Sequence, residues 1–570
     1  MKRLKNRWQT ANRQQQLVPL LLTLAFGIAV FLFWRFRYPF ALTYQEQLQL
    51  FLFDGDYFCE RMAEPGGFAR YIAEFLVQFY NGVTIGAAII AVLYMLVQRL
   101  TWRLMSMAKS LLSIAHYPLS FIPAVMLWYA MGDESVMLTY VVALVMALGV
   151  MCAVRLRLIT LIVLIPLLYW LIGPMALLVA LLILPWTVAA GAFIYALALM
   201  LVSAHFLPFP MTRVMLGISY YRFPETLPYL LMAIPVVILL LKWFAGRLPK
   251  ARQWVTLVEI AIVLIGGSSF VNSGFDKKKY ELIEYDYLVR VQDWNSIIAK
   301  AGKQMPDLPM SVSATNMALA MTNQLGDRAF DFYQRGSEGL LPKFERNFAT
   351  SQLTGEIYFH LGLVNTAQRL AFEAMEAIPN YSKSARVIKR LAETNLINGQ
   401  YKVAEKYLRM LEKTVFYRPW AQRTMALLGD EKAVNGHPLY GMLRQYRLQE
   451  DFLFSDRELD KICGQLFVRN SQNQMAAQYL VMLPLMDKDI PRFMQYVQVV
   501  QKRMQYNPRH FQEGMAFAFM QQRQQPPQGL ISQTVLQQMN EFSQIYSKDK
   551  RSPELGQFRN TVWYYLTVGK

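Results

Sequence analysis

Residues 17–34, LVPLLLTLAFGIAVFLFW, form an apolar run of 18 residues with no charged side chain. The thirteen residues at the N-terminus, MKRLKNRWQTANR, carry five basic side chains and no acid. A basic flank before an apolar run is the layout of a signal sequence. Here no small-x-small cleavage site follows, and Trp34-Arg35-Phe36-Arg37 is a poor substitute for one. The run approaches the length that crosses a hydrocarbon core. It reads as an uncleaved first span with a basic N-terminus, residues 1–16, held in the cytosol by the positive-inside trend.

Working outward, further apolar stretches lie near 82–98, 110–131, 136–154, 158–173, 226–243 and 254–272. Loops with Arg99, Arg103 and Lys109, and with Arg155 and Arg157, alternate with the acidic turn Gly132-Asp133-Glu134-Ser135, as cytosolic and outer loops should. The run 174–205 would be about 48 Å long as one helix, against a core of about 30 Å. Pro185 and Gly191 interrupt it, so two short segments are expected. That gives about nine spans over 17–272. The loop holding Lys242, Arg247, Lys250 and Arg252 is then cytosolic, and the chain beyond 272 lies outside. With one long helix there would be eight spans, and that basic loop would face outward against the trend. The expected setting is the inner (plasma) membrane, multi-pass, with the N-terminus cytosolic and the C-terminal half extracytosolic.

The chain has 58 basic and 39 acidic side chains and a net charge of +19. Residues 1–272 hold 20 of the bases and only ten acids. These bases sit in short loops as orientation signals do, and no nucleic-acid motif accompanies them, so nucleic acid is not an expected partner. Three cysteines, Cys59, Cys152 and Cys463, are too few and scattered for a disulfide framework. Five histidines show no ligand spacing, so no protein-bound metal site is expected. At membrane depth ionisable groups are scarce: Glu259 lies about two turns inside the last span, where Arg252 is a candidate partner, and His116 and His205 lie near span ends. Pumps and transporters carry more charge there, which argues against transport.

Residues 273–300 form a polar connector, and 301–570 are helical in pattern. Gly355, Tyr358, Ala367 and Pro379 fit the spacing of a tetratricopeptide unit. Ala392, Tyr401, Ala404 and Pro419 fit a second, and Gly326 and Ala329 a weaker earlier one. Ala329, Ala367 and Ala404 are 38 and 37 residues apart. Small residues at these positions let paired helices approach closely. The C-terminal stretch RNTVWYYLTVGK is apolar enough to dock as a capping helix. The expected fold is all-α: a polytopic helical membrane domain followed by a TPR-like α-solenoid. Such an array offers a concave surface to a protein partner, or serves as a structural cap over the membrane domain.

The large outer loop, 35–81, is the first place to look for function. Of the seven acids in residues 1–133, six lie there: Glu46, Asp54, Asp56, Glu60, Glu64 and Glu74. Asp54-Gly55-Asp56 could bind a divalent cation or supply a base, and equally suits a turn with Asp at a helix N-cap. Pro65-Gly66-Gly67 breaks any helix. After it, Phe68, Tyr71, Ile72, Phe75, Leu76 and Phe79 fall on one helical face, with Arg70, Glu74 and Gln78 elsewhere on the wheel. Such a helix would lie in the outer interface of the bilayer or line the membrane domain.

In this layout of first span, acidic outer loop, interfacial helix and further spans, with repeats beyond, the chain resembles the GT-C membrane glycosyltransferases. One eukaryotic branch of these, the TMTC-type protein O-mannosyltransferases, carries tetratricopeptide repeats. It looks more closely like an uncharacterised family of multi-pass bacterial membrane proteins with a TPR-like C-terminal domain. The GT-C resemblance implies a lipid-linked sugar donor at the outer face. It makes Asp54 or Asp56 the catalytic base or a ligand for a divalent cation, and Arg61, Arg70, Arg213 or Arg222 the holders of the lipid phosphate, with Glu64 beside them. Guanidinium pairs with phosphate in bidentate fashion, and interfacial anchoring is the competing role for these arginines. A non-enzymatic membrane scaffold that recruits envelope proteins through its repeats is the alternative function.

Overall fold

The computed structural model describes residues 2–108, 114–153, 158–181, 186–222, 228–247, 253–343, 345, 347–379, 382–448, 455, 458–503 and 506–569. Among these residues the elements are helices and two isolated bridges, with no sheet. The chain forms two compact units. One takes in residues 1–280 together with 379–385 and 412–418, and the other holds the rest.

Five helical stretches of the first unit are long and apolar enough to cross a membrane: Leu17–Arg37, Val83–Met107, Ile162–Leu181, Thr187–Phe206 and Trp254–Ser273. Leu138–Ala153 and Tyr229–Ala245 are shorter apolar helices. Nine comparable spans were expected, and the reduction has local causes. The expected span 110–131 is a 3₁₀ segment, Ile114–Phe121, with Pro118 inside it, followed by a short helix, Ile122–Ala130, that begins at a proline. Residues 110–113 lie outside the described residues, as do Lys109, Arg155, Arg157, Pro185, Lys250 and Arg252. Gly191, expected to interrupt its run, lies inside a continuous helix.

The helices used below are α1 (Lys2–Leu32), α2 (Gly55–Met62), α3 (Gly67–Val77), α4 (Val83–Ala108), α5 (Ile122–Ala130), α6 (Leu158–Ile172), α7 (Ala176–Leu181), α8 (Trp186–Phe206), α9 (Gln253–Ala261) and α10 (Gly267–Ser273). The stretch Ile162–Leu181 is not straight. Tyr195 Oη reaches the Ile162 carbonyl at 3.3 Å and Tyr169 Oη meets Ser203 Oγ at 2.5 Å, so α6 and α8 run side by side in the same direction. A straight continuation of α6 through α7 would leave Leu181 about 40 Å from Trp186. The five-residue step between them reaches at most about 18 Å. The chain therefore turns back at Gly173-Pro174, where Gly173 takes φ +61°, open to glycine at little cost. Ile165 and Ala180 accordingly share one small core cluster with Ala189, Ala192 and Ala196 of α8.

The ends of the first and last long stretches meet through aromatic side chains. Tyr38 stacks on Phe275 at 4.8 Å, and the Tyr280 hydroxyl donates to the Gly132 carbonyl at 3.0 Å.

In the second unit, α11 (Phe348–Leu361) and α12 (Val364–Glu376) form a helical hairpin. A Cβ on Gly355 would sit 3.6 Å from Leu370 Cβ, and Ala367, Ala371 and Ala374 are buried. Small residues bring the two helices close, as their spacing predicts. The hairpin also buries charge that hydrophobic patterning does not reveal. Glu356 accepts from Arg390 Nη2 at 2.7 Å, and Arg386 Nη1 grips both oxygens of Asp286 at 2.8 and 3.0 Å. Burial pushes the Glu356 carboxyl up, but Arg390 and Arg386 outweigh it and hold it down at about 2. Near the C-terminus, Trp563 is buried on the short helix Val562–Thr567, whose first backbone N–H donates to Glu513 Oε2 at 2.9 Å.

The fold-back at Gly173 predicts a distance. Spin labels at cysteines replacing Ile165 and Ala180, in a background lacking the native cysteines, should lie well inside the about 22 Å of a straight helix. A measured separation near that value would rule out the hairpin.

Candidate functional site

Helix α3 turns the expected amphipathic pattern over. Its aromatic face, Phe68, Tyr71, Phe75 and Phe79, is only half-buried, and its fully buried face carries Ala69, Arg70, Ala73, Glu74, Val77 and Gln78. The aromatic side packs under the preceding strand-like segment: Phe51 lies 5.0 Å from Tyr71 and 5.5 Å from Phe75, ring to ring. The charged stripe faces protein. Glu74 is 0 % exposed.

A bare carboxylate in that position would cost several kcal/mol, so it must be surrounded by donors. Arg61 Nε donates to Glu74 Oε2 at 2.7 Å and Arg70 Nε to Oε1 at 3.0 Å. The Tyr57 hydroxyl lies 2.5 Å from Oε2 and 2.8 Å from the Leu50 carbonyl. Burial drives the Glu74 carboxyl up, but Arg70, Arg61 and the Tyr57 hydroxyl together hold it below the ordinary glutamate range. Burial and the adjacent Glu74 carboxylate push the Tyr57 phenol well above its usual value. Burial opposes the charge on Arg61, and Glu74 and Tyr57 more than restore it. The Arg61 guanidinium also covers the Tyr57 ring at 4.4 Å.

Around this core the structure gathers a second ring of contacts. Arg70 Nη1 donates to Glu64 at 2.9 Å, and Nη2 lies 3.5 Å from Ser382 Oγ. Asp54 pairs with Lys413 Nζ at 2.6 Å, and the Tyr417 hydroxyl is 3.2 Å from both oxygens of Glu46. The backbone joins in: Leu50 N–H donates to the Lys383 carbonyl at 2.9 Å and Phe53 N–H to the Lys413 carbonyl at 2.8 Å. Segments 379–385 and 412–418 are thus part of the first unit through the outer loop.

Pro65-Gly66-Gly67 sets the angle between α2 and α3. Gly66 takes φ +81°, and a Cβ on Gly67 would fall 1.8 Å from the Arg61 carbonyl oxygen. The turn is fixed from outside by Gly66 N–H donating to the Trp170 carbonyl, and by Trp170 Nε1 donating to the Met62 carbonyl, both at 2.8 Å.

The residues expected from the sequence to act together divide. Arg61 and Arg70 converge on Glu74, and Glu64 joins them through Arg70. Arg213 comes near enough to feel Arg70: burial first, then that second cation, lowers its guanidinium to about 10. Its Nη1 and Nη2 donate to the carbonyls of Tyr221 and Arg222, each at 2.7 Å. Arg222 belongs to another group, with Tyr44, Glu134, Asp133 and Tyr221, and burial lowers its guanidinium. Asp54 takes the N-cap position of α2 in extended conformation, but its carboxylate goes to Lys413 instead of capping. That hydrogen bond holds its carboxyl below the usual range. Asp56 is exposed in the first turn of α2. No group of three or more His, Cys, Asp or Glu side chains placed to hold a metal ion occurs among the described residues.

Glu74 and Tyr57 were not among the candidate residues from the sequence. The signal that would have found them is the Arg70–Glu74–Gln78 stripe at i, i+4, i+8 opposite the aromatic face. Ser382 and Lys413 carry no local signal at all.

With this geometry in view, comparison with known proteins gives one family. A model described as "Family of unknown function (DUF6057)" matches residues 13–569. The chain belongs to that family. No curated protein and no solved structure matches it. The DUF6057 match runs through the outer loop and both units.

Glu74→Gln should destabilise the protein by about 3–5 kcal/mol, since it leaves Arg61 and Arg70 buried without their carboxylate. Asp56→Asn should leave the unfolding midpoint unchanged, and equal effects of the two in detergent-solubilised protein would contradict the assignment. A carboxyl held below its ordinary value stabilises the fold fully above that value. The contribution is lost as pH falls through the folded value, so the stability difference between wild type and Glu74→Gln should shrink on the acid side of about pH 4.3. Gly67→Ala should cost about 1–3 kcal/mol from overpacking against the Arg61 carbonyl. Gly55→Ala, with open space at its Cβ, is the matched control and should be neutral.

Proposed function

We propose that this protein is a membrane-anchored scaffold, whose second unit binds a protein partner and whose outer loop is a structural clasp. The observation that carries the reading is the full set of donors on Glu74, Arg61 and Arg70, with Asp54 tied to Lys413. Groups meant to meet a substrate keep a valence or a face open to it. These are directed at one another and at segments 379–385 and 412–418.

The second unit offers the concave site that partner binding requires. A cleft of about 630 Å³ lies beside the α11–α12 hairpin, lined by Lys343, Arg369 and Asp487 and by Arg492, which pairs with Asp460 and Asp489 at 3.5 Å each. Mixed charge over an apolar floor suits a polar peptide segment. In this reading the helical hairpins are tetratricopeptide-like units. The N-terminus is cytosolic, and the second unit lies outside the inner membrane, where envelope proteins are the partners.

Glycosyl transfer from a lipid-linked donor is the second reading. It is favoured by one observation: Asp56 is exposed in the first turn of α2, the helix that carries Arg61. One set of variants separates the two. A scaffold should restore function to a deletion strain with Asp56→Asn, and fail with Arg369→Glu/Arg492→Glu. The opposite pattern would establish the enzyme and remove the scaffold. A reporter at Lys570 that behaves as cytosolic would overturn the proposed orientation.

A further inference from the structure

Hydrocarbon chains of the bilayer need a dry groove between spans, and the first unit contains one of about 370 Å³. Its walls are α1, the segment 114–130 and the last long stretch, α9 to α10. Phe26, Phe33, Phe121, Trp128, Val263 and Leu264 line it. The polar side chains of the lining are Ser268, which donates back to its own helix at the Ile265 carbonyl, and Asn272 at the far end.

The groove is held open by its ends. At one end His116 Nδ1 lies 2.8 Å from Glu259 Oε1, joining the 3₁₀ segment to α9. At the other, Tyr129 stacks on Phe270 at 4.2 Å, and a Cβ on Gly132 would fall 2.4 Å from the Gly274 carbonyl oxygen. Between these two points Gly267 also lies against Val125, and the groove opens on the side of α1, at Ala25, Phe26 and Ala29. The aromatic floor is rigid, with Phe26 edge-on to Phe121 at 5.2 Å and Phe33 edge-on to Trp128 at 5.0 Å. The stretch 262–266 bordering the groove is a π-helical turn, which widens the local helix.

An unfilled apolar void of this size forfeits dispersion contacts on every wall, and water gains nothing there without polar partners. The groove is open along one side. Leu264 is 65 % exposed while lining it, and its neighbours Ile262 and Ile265 are 64 % and 71 % exposed. Uncharged and continuous with an apolar outer surface, it matches a single acyl chain better than a charged or peptide ligand.

We propose that this groove is a binding site for one acyl chain of a membrane lipid. The site is separate from the Glu74 cluster and does not depend on either functional reading above. Residence of a lipid there would couple the position of the last long stretch to the first span.

The test uses the full-length protein in phosphatidylethanolamine–phosphatidylglycerol vesicles doped with a phospholipid carrying a diazirine in its acyl chain. After photolysis, adducts mapped by mass spectrometry should concentrate on Phe26, Phe121, Trp128 and Val263. They should exceed those on Ile162, Val163 and Ile194, which are exposed apolar side chains elsewhere on the unit. Ala25→Leu with Gly267→Leu fills the groove from two walls and should lower its adducts about tenfold while leaving those on Ile162 unchanged. Even labelling of groove and exposed faces would show annular lipid only and overturn the proposal, as would adducts that survive the filling. If the double variant does not fold, the wild-type map decides by itself.

Discussion

A buried carboxylate cannot be left alone in a low-dielectric interior, and Glu74 is the point from which the outer loop is organised. Its two oxygens require donors, and three side chains from two helices supply them: Tyr57 and Arg61 from α2, and Arg70 from α3. Satisfying Glu74 therefore fixes α2 against α3. The turn between them must be as tight as Pro65-Gly66-Gly67 makes it. Arg70 then carries the constraint outward, to Glu64 and Ser382.

The same need explains why charge lies on the inner side of α3. Arg70, Glu74 and Gln78 are placed one turn apart between small residues, Ala69, Ala73 and Val77, which let the helix come close to its neighbours. The large aromatic residues do not fit that close contact. They cover the outside, with Phe51 and Phe53 laid across them. Ion pairs of this kind add little net stability compared with apolar packing, but they tolerate few alternative arrangements. That is a property suited to a clasp that must join segments far apart in the chain.

The second unit uses charge in a comparable way. Glu356 with Arg386 and Arg390, and Asp286 with Arg386, join helices whose small residues already allow close approach. Among the apolar helices of the first unit, by contrast, shape is set by breaks. Gly173-Pro174 turns a long apolar stretch back on itself, and Pro118 and Pro123 shorten another. The groove near Trp128 lies where α1 faces the last long stretch across the aromatic side chains of the segment 114–130.

By itself the sequence determined the all-α class, the long apolar stretches, the one beginning at Leu17 among them, and the close helix pair around Gly355 and Ala367. Composition and periodicity are local properties and can be read residue by residue. It also located the loop at 35–81 and its arginines. Three things were decided only by tertiary structure. Among the described residues five apolar stretches have the length and composition of a span, and the fold-back of one of them at Gly173-Pro174 depends on what lies alongside it. The buried side of α3 was the charged one, because partners as distant as Ser382 change which face is costly to expose. And Asp54, legible as a turn residue or a base, was given to Lys413, 359 residues away. No local pattern encodes a pairing over that separation, since it exists only once the intervening chain has folded.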